Sequence, residues 1–129
     1  MDKIIVVYGS DSTGKTTVVN DIYDNLIKQG ASITKAKKKT GGNPKDFEAV
    51  LFFKGKTIAF LSMGDYRKTV DDYVNRNKKY DIFITALNTR FSSIGTVWLQ
   101  NSNVIYKVSK AGTNNTDNQN VMNSVMAKI

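Results

Sequence analysis

The chain contains no cysteine and no histidine, and Pro44 is its single proline in 129 residues. Without cysteine there is no disulfide scaffold, and without either residue a typical zinc site is excluded. Proton transfer near neutral pH would fall to carboxylates, lysine, tyrosine or the substrate's own groups, since imidazole is missing. Apolar runs stop at about five residues, well short of the ~20 that a membrane-spanning helix needs. The chain opens Met1-Asp2-Lys3 and enters an apolar run directly, so no leader is expected and the expected location is cytoplasmic. Acidic residues are few as well: 11 against 19 Lys and Arg, a net charge of +8. Such a surface suits polyanions (nucleotides, nucleic acid, acidic lipid headgroups), although it also serves plain solubility. With 40% hydrophobic and 23% charged residues the balance is globular, and one domain over residues 1–129 is expected.

What the chain does have is a complete G-x-x-x-x-G-K-[ST] motif, Gly9-Ser10-Asp11-Ser12-Thr13-Gly14-Lys15-Thr16, followed by Thr17. It follows the apolar run Ile4–Tyr8 and opens a helical pattern, the strand–loop–helix context that the motif requires. Gly9 and Gly14 allow backbone that a Cβ would block. The loop can then turn its N–H groups inward as an anion nest at the positive end of the next helix. Lys15 is placed to reach the β- and γ-phosphates, and the Thr16 hydroxyl to ligate Mg²⁺.

On these residues the chain resembles the P-loop NTPase and kinase superfamily, whose members bind ATP or GTP with Mg²⁺. Residues 9–30, GSDSTGKTTVVNDIYDNLIKQG, are similar to the start of thymidylate-kinase-like enzymes, with Asp11, Thr17 and Gly30 matching that pattern. The likeness covers about residues 4–30, and the remainder is unassigned. It implies an α/β chain with a three-layer P-loop NTPase-like fold. The sheet would be mainly parallel, and the apolar runs around Gly55 add an antiparallel edge hairpin at about residues 47–61.

The pattern of the chain fills in this outline. Val18, Val19, Ile22, Leu26 and Ile27 mark the buried face of a first helix from Lys15 to Gln29, with Gly30 as its stop. Ala31–Ala36 reads as a short strand. Lys37–Asp46, basic and glycine-rich, reads as a loop. Phe47–Phe53 and Thr57–Leu61 around Gly55 predict a hairpin. A second helix is expected over Asp65–Lys79, a strand over Asp81–Leu87, a short helix near Ser93–Gln100 and a last strand over Val104–Val108. Thr113–Asn120 reads as a linker before a C-terminal helix, with capping-box spacing at Thr116 and Gln119.

In open α/β sheets ligands bind beyond the C-terminal ends of the strands, which directs attention to the P-loop, Ser62–Arg67 and Asn88–Ser93. Asp65, after an apolar run, is the candidate acidic partner of Mg²⁺, and alternatively the N-cap of the second helix. Asp11 is a candidate for positioning an acceptor or a water, the role that the resemblance implies, or for an Asx turn that shapes the loop. Arg90, and after it Arg67, could stabilise charge on a transferring phosphoryl group. Lys35 and Lys37–Lys39 could close over phosphates or contact a nucleic-acid backbone, or form a solvated loop. Thr40 would be a metal-ligand analogue there. The expected function is an Mg-ATP-binding nucleoside-triphosphatase. A small phosphotransferase and a nucleotide-dependent nucleic-acid-binding module, working through the basic stretch 35–45, are the alternatives.

Overall fold

The computed structural model describes residues 1–10, 13–40, 44–62, 67–89, 98, 100, 102–110 and 112–129. Its elements are β1 (Lys3–Gly9), α1 (Lys15–Lys28), β2 (Ser32–Lys39), β3 (Phe47–Phe53), β4 (Lys56–Leu61), α2 (Arg67–Arg76), β5 (Ile82–Asn88), β6 (Val104–Ser109) and α3 (Asn115–Met126). The strands form one six-stranded sheet in the order β2-β3-β4-β5-β1-β6. β4, β5, β1 and β6 run parallel, while β3 is antiparallel to both of its neighbours. The chain is thus an α/β protein with a mostly parallel sheet.

The core divides with the pleat. Alternate strand residues such as Ile5, Val7, Phe60 and Ile84 pack with Val18, Ile22 and Leu26 of α1 and Val121 and Val125 of α3. Ile4, Val6, Ala59 and Phe83 point the other way, onto Val70, Tyr73 and Val74 of α2 and onto Trp98. Every residue of β5 is buried, as expected for a central parallel strand covered on both sides. Trp98 is fully buried, and its Nε1 donates to Asp71 Oδ1 at 2.6 Å, so the indole fills the core without orphaning its polar atom.

The hairpin turn is tight for a definite reason. Lys54 and Gly55 both have positive φ (49° and 79°), the two-residue pattern whose twist matches the flanking strands. At this end of the sheet, opposite the turn from β1 into α1, Asp81 accepts from the Thr57 N–H and hydroxyl at 2.8 and 2.9 Å. These bonds hold its carboxyl below the usual range.

Four expectations are corrected. The 47–61 hairpin is not at the edge, because β2 pairs outside β3 and becomes the edge strand. β2 extends through Lys37–Lys39, so the basic stretch is partly strand: backbone pairing with β3 outweighs its low hydrophobicity. α2 is described from Arg67 and ends at Arg76 rather than Lys79, with Lys78 and Lys79 in a turn. The supposed linker is mostly helix, and the cap of α3 is Asn114, whose Oδ1 accepts from the Asp117 N–H at 2.7 Å, rather than Thr116 with Gln119. Of the predicted helix at 93–100, residues 93–97 and 99 lie outside the described residues.

Candidate phosphate-binding site

β1 delivers the motif to the C-terminal end of the parallel strands. Gly9 lies in register with Asn88 of β5, and the Thr89 N–H donates to Gly9 O at 3.1 Å. On the other side the Lys110 N–H, just past β6, donates to Tyr8 O at 2.8 Å. Gly9 is required by this crowding: a Cβ there would meet Lys110 O and Thr13 Oγ1, each at 2.6 Å. Gly14 is required for another reason. It caps α1 in the left-handed region, φ 79°, which side chains with a Cβ rarely adopt.

Among the described residues, the start of α1 has no side-chain cap and no acidic residue in its first turn. The positive helix end therefore meets no carboxylate of its own first turn, as suits an exogenous anion. Lys15 is buried, and its Nζ curls back over the loop to donate to Ser10 O at 2.8 Å. Thr13 Oγ1 donates to the same carbonyl at 2.8 Å. Ser10 thus gathers a cation and a hydroxyl inside the loop. Thr16 and Thr17 lie on the first turn of α1, both half-buried.

The Thr16 hydroxyl donates to Asp46 Oδ1 at 3.2 Å, and Asp46 is 6% exposed. Asp46 stands immediately before β3. Its own carbonyl accepts from the Thr40 N–H at 3.1 Å. The next residue is clamped to the end of β4, where the Phe47 N–H donates to Ser62 Oγ at 3.0 Å and the Ser62 N–H to Phe47 O at 3.1 Å. Among the described residues, the buried Thr40 Oγ1 has no hydrogen-bond partner. Asn20, one turn along α1, ties the region together. Its Nδ2 donates to Thr16 O at 2.9 Å and Lys45 O at 3.1 Å, while its Oδ1 accepts from Lys37 Nζ at 2.6 Å.

A second loop walls the chain between β1 and α1 from the β6 side. The Lys110 side chain is wholly buried, and its Nζ donates to Gly112 O and, at 3.0 Å, to Asp117 Oδ2. That ion pair, with the Gly112 N–H, holds the Asp117 carboxyl below its ordinary value. The ammonium lies 3.7 Å from where a Cβ on Gly14 would stand.

Several candidates from the sequence meet here: Gly9, Ser10, Thr13, Gly14, Lys15, Thr16 and Thr17, with Asn88 beside them. Asp11, Ser12, Asp65 and Arg90 lie outside the described residues. Asp46, Asn20 and Lys110 are additions. For Asp46 the sequence offered the end of the sheet but not the partner: if β4 is parallel to β1, the antiparallel β3 must begin at the end that carries the 9–16 loop, so an acid before β3 lands there as surely as one after β4. Lys110 carried no signal in the sequence, since a lone lysine after a strand is ordinary.

Comparison with known protein families, with curated proteins and with solved structures finds no match for this chain. No described helix is long and apolar enough to cross a membrane.

Proposed function

We propose that the chain is an Mg-ATP-binding P-loop protein of the nucleoside-triphosphatase type, with residues 9–17 as its phosphate cradle. The observation that carries this reading is the pairing of Lys15 and Thr16. One is a buried cation folded over the loop; the other is a hydroxyl that donates a hydrogen bond to a buried carboxylate. A threonine oxygen that directs its O–H toward Asp46 keeps its lone pairs for a hard cation. Among the described residues no group of three or more acidic, His or Cys side chains could hold a metal alone. That suits Mg²⁺, which takes one or two protein oxygens and completes its shell with phosphates and water. Thr16 and Asp46 would hold the ion, which supplies charge neutralisation on the phosphates. The P-loop N–H groups and Lys15 bind and orient the triphosphate, and Asn88 lines the neighbouring strand end.

The test is calorimetry with a non-hydrolysable ATP analogue, with and without Mg²⁺, on folded variants. Lys15→Ala should abolish tight binding. Asp46→Asn should remove most of the Mg²⁺ dependence while leaving metal-free binding, and Asp65→Asn serves as the competing assignment. Unchanged affinity in Lys15→Ala would end the nucleotide reading. A metal effect confined to Asp65→Asn would move the acid there. Comparing ATP consumption in water alone with consumption in a screen of phosphoacceptors separates a hydrolase from a phosphotransferase.

A further inference from the structure

The edge strand β2 reads Ser-Ile-Thr-Lys-Ala-Lys-Lys-Lys, and all eight of its residues are exposed. Its pairing with β3 is irregular. Lys35 stands opposite Val50 and Lys38 opposite Glu48, so three steps on β2 match two on β3. Val50 and Glu48 share one face of the pleat. The bulge therefore brings Lys35 and Lys38 to that same face, where strict alternation would have separated them. The face is the α2 side of the sheet. There Lys35, Lys38 and Arg76 converge on a groove of about 270 Å³, which Glu48, Asn77 and Tyr80 also line. Lys35 Nζ lies 5.7 Å from the Tyr80 ring centroid. Further along the same face of β3, Phe52 is 45% exposed.

We propose that this face of β2 and β3 binds single-stranded nucleic acid. Lys35, Lys38 and Arg76 would contact phosphates, and the Phe52 ring would offer a stacking surface to an unpaired base. A row of cations that ends at an accessible ring is what a single strand can use, because every base has a π-face and every linkage a charge. A duplex hides its bases and would leave the Phe52 ring unused. Lysines and bulges also protect an edge strand from pairing with other chains. That role needs charge of either sign on the strand. It does not require the cation that α2 contributes across the groove, or a ring left open beside it. The proposal does not depend on the P-loop, so it is tested without nucleotide, and its failure leaves the Mg-ATP reading untouched.

Fluorescence anisotropy with a labelled oligothymidine, over a range of salt, is the measurement. Three phosphate contacts predict a log Kd against log salt slope of about 2. The double variant Lys35→Glu/Lys38→Glu should bind at least about tenfold more weakly, with the slope reduced by about 1.4. It keeps a charged edge, so pure edge protection predicts no aggregation and, having no part in binding, no loss of affinity. Phe52→Ala should cost about tenfold at constant slope, since stacking carries no counterions. It changes an exposed position, so it keeps the test open if the double variant fails to fold. Lys28→Glu/Lys107→Glu changes net charge equally, with both exposed lysines away from the groove, and should cost less than about threefold because salt screens distant charges. The proposal is overturned by an equal loss in both double variants, which would mean bulk charge alone. Equal affinity for duplex, unchanged binding in Phe52→Ala, or binding to phosphatidylserine vesicles but not to the oligonucleotide would each overturn it as well.

Discussion

β5 and β2 are strands of nearly equal length in one sheet, yet every residue of β5 is buried and every residue of β2 is exposed. β5 pairs on both sides and is covered above and below, so its side chains contribute by leaving water. β2 pairs on one side only. It is held by its backbone ladder and by Lys37, whose Nζ lies 4.5 and 4.9 Å from the ring centroids of Phe47 and Tyr23 while bonding Asn20. Lys37 thus sets its ammonium over the aromatic pair under α1, a cation–π contact. The central strand is a stability element, and the edge strand is a surface. The candidate site takes from both regions: β1 and β5 fix its floor, while the residue before β3, Asp46, meets Thr16.

Breaking the centre should have the largest effect. Ile84, fully buried in β5, should cost about 2–5 kcal/mol when changed to Ala, from lost burial plus the cavity left between α1 and its neighbours. Denaturant unfolding, with the midpoint falling at unchanged slope, checks this. A loss below about 1 kcal/mol would mean that the centre is loosely packed. Next comes the strand end where centre and site meet. Gly9→Ala should destabilise by about 1–3 kcal/mol, because the new methyl meets backbone at Lys110 and cannot be relieved by a rotamer change. It should also weaken nucleotide binding, as the loops after β1 and β6 are pushed apart. Thermal melts read beside ATP-analogue affinity on the same sample will show whether the two losses occur together. The smallest effect belongs to the edge. Ile33→Thr, at a position 57% exposed, should change stability by less than about 0.5 kcal/mol. If the same denaturant series finds a cost near that of Ile84→Ala, β2 is covered in solution and the contrast fails.

The central elements were legible because their signals are local. An unbroken apolar run is the mark of a strand covered on both faces, and the expected β1, α1, β5 and β6 lie within a few residues of their positions. The hairpin was equally legible, since a Lys-Gly turn between apolar runs has few other solutions. β2 was harder to read beyond Ala36, because a row of lysines has no reason to be a strand until β3 supplies the hydrogen bonds. The start of α3 was misplaced for a related reason: Asn and Thr compete with the backbone in isolation and become helical only when Asn114 caps and Asp117 pairs with the buried Lys110.

By itself the sequence determined the α/β class, the strand–loop–helix that presents Gly9–Thr17, and the glycines that this loop needs. Each follows from backbone chemistry acting over a few neighbouring residues. Only the tertiary structure decided that Asp46 meets Thr16, that Lys110 walls the loop, and that a bulge turns Lys35 and Lys38 to one face. Those depend on which strands become neighbours and in what register, and register is set by the summed packing of a whole sheet rather than by any one segment.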